Sequence, residues 1–154
     1  MKQCNIRYAR IEDYNSVESI MKEVQKLHVD WRPDIYKPTD PVFPKAIFAR
    51  IVETKTFLVA EIDTTVVGLL SYMYRHIESD KQVTRDILFI DDLAVKESYR
   101  CHGIGSQLLQ FVKDKVKQEH LDGLELQVNA RNTQAKRMYE KNGFSEKSIN
   151  MELL

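Results

Sequence analysis

Between Leu93 and Ser106 the chain reads Leu-Ala-Val-Lys-Glu-Ser-Tyr-Arg-Cys-His-Gly-Ile-Gly-Ser. A hydrophobic run ends, a short polar stretch follows, and two glycines open a segment of helical spacing. Glycine lets the backbone bend tightly and brings amide N–H groups close to a ligand. The first four N–H groups of a helix lack partners inside it, and the macrodipole makes that end positive. A phosphate or pyrophosphate suits such an end. Just upstream, Asp91 and Asp92 interrupt the apolar run from Ile87 to Val95. A carboxylate in a buried strand must find a partner or serve a purpose. Further on, a helix starting at Asn132 would put Ala135 and Tyr139 on one face, with the tyrosine about two turns from the start.

Other chemistries fit less well. A dinucleotide fingerprint would need a third glycine at position 108, which is Leu108, and no triphosphate loop with its Lys-Ser/Thr pair is present. Taken alone, Gly103 and Gly105 could do no more than shape a turn. Cys4 and Cys101 are far apart without a C-x-x-C, and His28, His76, His102 and His120 lack metal-ligand spacing. Neither a disulfide framework nor a metal site is expected.

The elements that would position these residues follow from periodicity. Ile6 and Tyr8 mark a first strand over Asn5 to Ile11. Asp13 can cap a helix from Tyr14 to His28, whose stripe is Val17, Ile20, Met21, Val24 and Leu27. All four prolines fall between Pro33 and Pro44, so that stretch, with Trp31 before it and Asp34, Tyr36 and Phe43 within it, is a long loop. A second helix covers Pro44 to Glu53. Strands follow over Thr56 to Ile62, Thr65 to Ile77 and Ile87 to Val95, with a polar loop from Glu78 to Asp86. Ile104, Leu108, Phe111, Val112 and Val116 form a helical stripe; Leu124, Leu126 and Val128 alternate as a strand. A last helix carries Ala135, Met138 and Tyr139 and stops at Asn142-Gly143, and Phe144 to Leu154 reads as a final strand. The order is β-α-α-β-β-β-α-β-α-β, a mixed α/β fold.

The 154 residues, 43% hydrophobic and 30% charged, suit a single domain over residues 1–154. Lys+Arg and Asp+Glu both total 23, so general attraction to nucleic acid or anionic membrane is not expected. The basic residues Lys113, Lys115 and Lys117 come without a nucleic-acid motif. The polar start and the absence of any apolar run near ~20 residues point to a soluble cytoplasmic domain.

Arg100-x-x-Gly103-x-Gly105 after a strand, followed by a helix, a strand and Asn132-x-x-Ala135-x-x-x-Tyr139-Glu140-Lys141-x-Gly143-Phe144, resembles the GNAT superfamily of N-acetyltransferases. The resemblance is strongest over residues 87–144. It implies a central mixed, mostly antiparallel sheet flanked by helices, and acetyl-CoA as donor, with no metal. It implies that the main chain of Leu93, Ala94 and Val95 pairs with the pantetheine arm. The turn of Arg100, Cys101, His102, Gly103, Ile104, Gly105 and Ser106 would wrap the pyrophosphate, and Asn132 would touch the pantetheine while capping its helix. Tyr139 would protonate the departing thiolate, and an acid, Asp92 in preference to Asp91, would serve as base directly or through water. A backbone N–H near Leu93 to Val95 would meet the oxyanion. The acceptor, an amine of a small molecule or peptide, would lie against Trp31, Asp34 and Tyr36, with Tyr72 and Tyr74 as further lining. A non-catalytic acyl-CoA-binding module on the same fold is the alternative, and a homodimer would complete the short C-terminal edge.

Overall fold

Residues 3–154 are described by a computed structural model of the protein. Strands β1 (Asn5–Tyr8), β2 (Phe57–Ile62), β3 (Thr65–Ser79), β4 (Gln82–Val95) and β5 (Gly123–Leu126) lie side by side in that order in one sheet. All neighbours are antiparallel except β4 and β5. Helices α1 (Tyr14–Trp31) and α2 (Lys45–Thr54) cover one face, and α3 (Ile104–Gln118) and α4 (Thr133–Lys141) pack on the other. Among the described residues no helix is long and apolar enough to cross a membrane.

Alternation along the strands divides the core between the two faces. Phe57, Val59 and Leu69 meet Val17 and Ile20 of α1 and Phe48 of α2. Leu58, Leu70, Leu88 and Ile90 meet Ile104, Leu108, Leu109 and Val112 of α3. Nearly all of these side chains are fully buried, each contributing roughly 1.5–3 kcal/mol relative to exposure.

Four local readings of the sequence are corrected. Asp13 stands at the start of α1 but its side chain does not cap it. The carboxylate instead accepts the Arg7 guanidinium through both oxygens, at 2.8 and 2.9 Å, and the Arg10 N–H at 2.7 Å. α1 continues past His28 to Trp31 and stops where Arg32, pressed by Pro33, leaves the helical region. The expected polar loop from Glu78 to Asp86 is a continuation of the β3–β4 hairpin, with His76 opposite Asp86 and Ser79 opposite Gln82. Its residues are exposed on both sides, so they carry no alternation, yet the backbone ladder does not require any. Finally, residues 145–154 form no strand. They are held by side chains instead: Lys147 pairs with Glu125 at 2.6 Å, Glu146 with Lys136, and Glu152 with Arg32.

The proline-rich segment is an ordered strap along α1. Tyr14 Oη donates to Phe43 O at 2.7 Å, and the two Glu18 oxygens accept Val42 N and Phe43 N at 2.7 and 2.8 Å. Lys22 pairs with Asp40 at 3.1 Å, and Gln25 Nε2 donates to Lys37 O at 2.9 Å. Positions 14, 18, 22 and 25 are one helical stripe, so a single face of α1 fixes the loop's path.

Candidate active site

The β3–β4 ladder contains a bulge at the point where chemistry was expected. Ser71 pairs with Asp92 and Tyr72 with Ile90, leaving Asp91 as the extra residue. On the near side Leu88 and Ile90 face α3; beyond it Leu93 and Val95 face α3 and Ala94 faces α1 and α2. Asp92, two residues before Ala94, therefore turns towards α1, while Asp91 is exposed. The parallel β4–β5 pairing ends at Ile90 opposite Leu126. From Asp92 to Val95, β4 keeps β3 on one side and, among the described residues, has no strand on the other. An open strand edge of this kind can accept an extended ligand arm as though it were another strand.

Beyond β4 the chain is shaped by local bonds. Arg100 Nε donates to Val95 O at 2.9 Å, and the Glu97 N–H donates to Glu23 Oε2 at 2.8 Å, with Arg100 Nη2 3.7 Å from the same oxygen. The Arg100 guanidinium thus ties the turn to β4 and α1. His102 Nδ1 donates to Arg100 O at 2.7 Å, and Cys101 Sγ accepts Gln134 Nε2 at 3.3 Å. Cys101 and Gly103 both have positive φ, 63° and 78°. No side chain caps α3, whose first bond runs from Gln107 N to Gly103 O. The Ile104, Gly105 and Ser106 N–H groups are left as donors at the positive helix end, which is the chemistry a pyrophosphate requires.

The two glycines do different work. At Gly103 a Cβ would meet nothing, so its role is the left-handed backbone. At Gly105 a Cβ would lie 2.6 Å from Met138 Sδ, so its role is the close approach of α3 and α4. Ser106 Oγ accepts Asn142 Nδ2 at 3.0 Å, which commits its side chain to that same contact.

Asn132 caps α4, its Oδ1 accepting the Ala135 N–H at 3.1 Å. Tyr139 is half-buried on the α3 side, edge-on to Phe144 with ring centres 5.8 Å apart. Burial pushes its phenol up to about 12, and among the described residues its hydroxyl has no hydrogen-bond partner. It is a protonated donor.

Across the sheet, Asp92 accepts the Ser71 hydroxyl at 2.7 Å. Burial raises its carboxyl above the usual range, against the pull of the Ser71 bond. His28, in the last turn of α1, lies near enough for the two charges to act on each other. Burial holds its imidazole below the ordinary value, against the attraction of Asp92. The ring is flanked by Tyr36 at 5.0 Å and Trp31 at 5.8 Å.

The structure brings Trp31 and Tyr36 together but not the rest of the expected acceptor lining. Asp34 is exposed and forked by Arg32 at 2.9 and 2.6 Å, which draws its carboxyl down to about 2. Tyr72 is buried on the α3 side and donates to Lys55 O at 3.2 Å. Tyr74 donates to Glu119 Oε2 at 2.8 Å. Both tyrosines lie on the face opposite Trp31, because their strand positions share parity with Leu70. His28, Ser71 and Glu18 were missed. His28 continues the α1 stripe and stands three residues before Trp31, which was the available signal; Ser71 gave none.

A sequence profile of the acetyltransferase (GNAT) family matches residues 21–144. The aminoalkylphosphonate N-acetyltransferase of Salmonella typhimurium is 26% identical over 148 residues, 95% of this chain and 88% of that protein. The crystal structure of BH1408 protein from Bacillus halodurans, as a tetramutant, superposes with a TM-score of 0.89 at 26% identity, covering 97% of this chain and 99% of that one. The PaiA N-acetyltransferase of Thermoplasma acidophilum, solved in complex with coenzyme A, superposes with a TM-score of 0.75 at 21% identity, over 96% and 93% of the two chains. With the open β4 edge and uncapped α3 start that such a donor requires, the chain belongs to the acetyltransferase (GNAT) family and is an acetyl-CoA-dependent acyltransferase.

Proposed function

We propose that the protein transfers the acetyl group of acetyl-CoA to a primary amine of a small molecule by direct attack. The observation that carries this reading is the position of the open β4 edge. Asp92 lies on the α1 face of it and the unpartnered Tyr139 phenol belongs to the α3 face. A thioester along that edge would meet the acceptor from one side and a proton donor from the other. The full-length relationship to an aminoalkylphosphonate N-acetyltransferase supports a small amine as acceptor.

In this reading the main chain of Leu93, Ala94 and Val95 holds the pantetheine arm. The Ile104, Gly105 and Ser106 N–H groups hold the pyrophosphate. The Asp92 carboxylate draws the ammonium to the α1 side. Once neutral, the amine attacks the carbonyl carbon, and a β4 N–H between Leu93 and Val95 meets the developing oxyanion. The C–S bond then breaks, Tyr139 gives its proton to the departing sulfur, and the amine nitrogen's second proton passes through solvent to restore the phenol. Positioned acid–base help of this kind is worth about 10²–10⁴-fold.

The test is release of free thiol from acetyl-CoA across a panel of 2-aminoethylphosphonate, 1,4-diaminobutane and a short peptide with a free N-terminus, with products weighed by mass spectrometry. Acceptor-dependent thiol and an acetylated small amine are expected. Acetylation of the peptide alone would move the acceptor class, and acetyl-CoA binding without acceptor-dependent thiol would replace the enzyme by a binding module.

A further inference from the structure

We propose that His28 is the base that removes the first proton from the acceptor ammonium, with Asp92 as the charge that steadies the imidazolium formed. This rests on the amine-acetylation reading above. His28 stands in the last turn of α1, on the helix that covers the sheet face Asp92 turns to, and close enough for the two charges to interact. The ring is held between Tyr36 and Trp31, at 5.0 and 5.8 Å, so its direction is fixed by packing. The other histidines are committed elsewhere: His76 pairs with Asp86 at 2.7 Å, His102 donates to Arg100 O, and His120 follows α3 on the exposed surface.

Three features suit the step. A base works best when its pKa lies near the working pH, and an imidazole is closer than a carboxylate. Burial keeps the resting ring neutral, so it is ready to accept. Once protonated it sits at a helix C-terminus, where the macrodipole favours a cation, with a carboxylate in reach. The titratable groups facing it are Asp92 from β4 and Tyr36 from the loop. The nearby guanidiniums are occupied, Arg32 with Asp34 and Glu152, and Arg131 with the Trp31 carbonyl. The balance is simple. R–NH3+ gives one proton to the His28 imidazole, which passes it to solvent; the N–C bond forms as the C–S bond breaks, and the second nitrogen proton leaves with the sulfur by way of Tyr139.

The test compares wild type with His28→Gln and His28→Phe across pH 5.5–9, using whichever amine of the panel is turned over fastest. Wild-type kcat/KM should fall at acid pH with an apparent pKa below the ordinary histidine value, and the same value should appear in the NMR titration of the His28 ring, identified by its loss in His28→Gln. Both variants should lose about 10²-fold in kcat, bind acetyl-CoA with unchanged Kd, lose the acid limb, and recover with added imidazole. Unchanged kcat, or a loss that leaves the limb in place without imidazole rescue, overturns the proposal. A variant that fails to fold leaves the decision to the wild-type titration, where a ring pKa that does not match the kinetic limb also overturns it. Wild type that acetylates no amine refutes the parent reading instead.

Discussion

Ser71 Oγ donates a 2.7 Å hydrogen bond to Asp92 Oδ2 at the rung where β4 carries its extra residue. The carboxylate is satisfied but remains partly desolvated, and its pKa stays raised by burial. A raised acid pKa means the folded chain binds that proton more tightly than the unfolded chain. Folding stability is therefore lost as pH rises from about 3.9, the unfolded value, through the raised folded value. Asp92→Asn should remove this cost at neutral pH, leaving Tm unchanged or higher, while kcat/KM falls at least tenfold. Calorimetry and kinetics on the same preparation would check both. Ser71→Ala should push the carboxyl further up and cost about 1 kcal/mol.

Tyr139→Phe should lower kcat by about 10²-fold with little change in acetyl-CoA affinity. Because burial holds the phenol at about 12, wild-type activity should show no tyrosine ionisation below about pH 11. An alkaline limb near the ordinary tyrosine value that disappears in Tyr139→Phe would contradict this environment.

Glu18→Ala should release the strap at Val42 and Phe43, two N–H groups held by one carboxylate. Bonds to charged acceptors contribute about 1.5–3 kcal/mol each, so stability should fall by roughly 3–6 kcal/mol. Acceptor KM should rise several-fold while acetyl-CoA Kd holds, since the strap borders only the α1 side. Isothermal titration with acetyl-CoA separates the two sites.

Gly105→Ala should be tolerated at a cost of about 1 kcal/mol or less, because the new methyl meets only Met138 Sδ, the far end of a flexible side chain that can turn aside. Gly103→Ala should act differently, through backbone strain at φ 78°, costing about 1–2 kcal/mol that no change at Met138 relieves.

The sheet, its helices and the turn before α3 were readable because they rest on periodicity and on glycines at a strand-to-helix junction. Ile104, Leu108 and Val112 announce α3 without help from any other element. The β3–β4 extension was not readable, because Glu78 and Asp86 are exposed and Arg85 is only half-buried, so no apolar alternation marks a ladder that backbone pairing and polar contacts such as His76 with Asp86 hold. The expected last strand failed for the converse reason: Ile149, Met151 and Leu153 alternate, but their side chains are 73%, 88% and 100% exposed, and alternation has meaning only against a neighbouring edge. Within the site, Asp92 stood out as an acid in an apolar strand, and Tyr139 through the resemblance of its helix motif. Ser71 and His28, which act on Asp92 across 21 and 64 residues, did not, since such pairings depend on register and helix docking. Asp34 attracted notice as a carboxylate among aromatics, and Arg32 two residues away had already claimed it.

The surplus residue at Asp91 has a broader consequence. Were Asp91 paired opposite Ser71 instead of bulged out, every position from Asp92 to Val95 would exchange sides: Leu93 and Val95 would turn towards the strap, and Asp92 into the aliphatic layer beneath α3. Deleting Asp91, by contrast, would flatten the bulge and leave those four residues facing as they do.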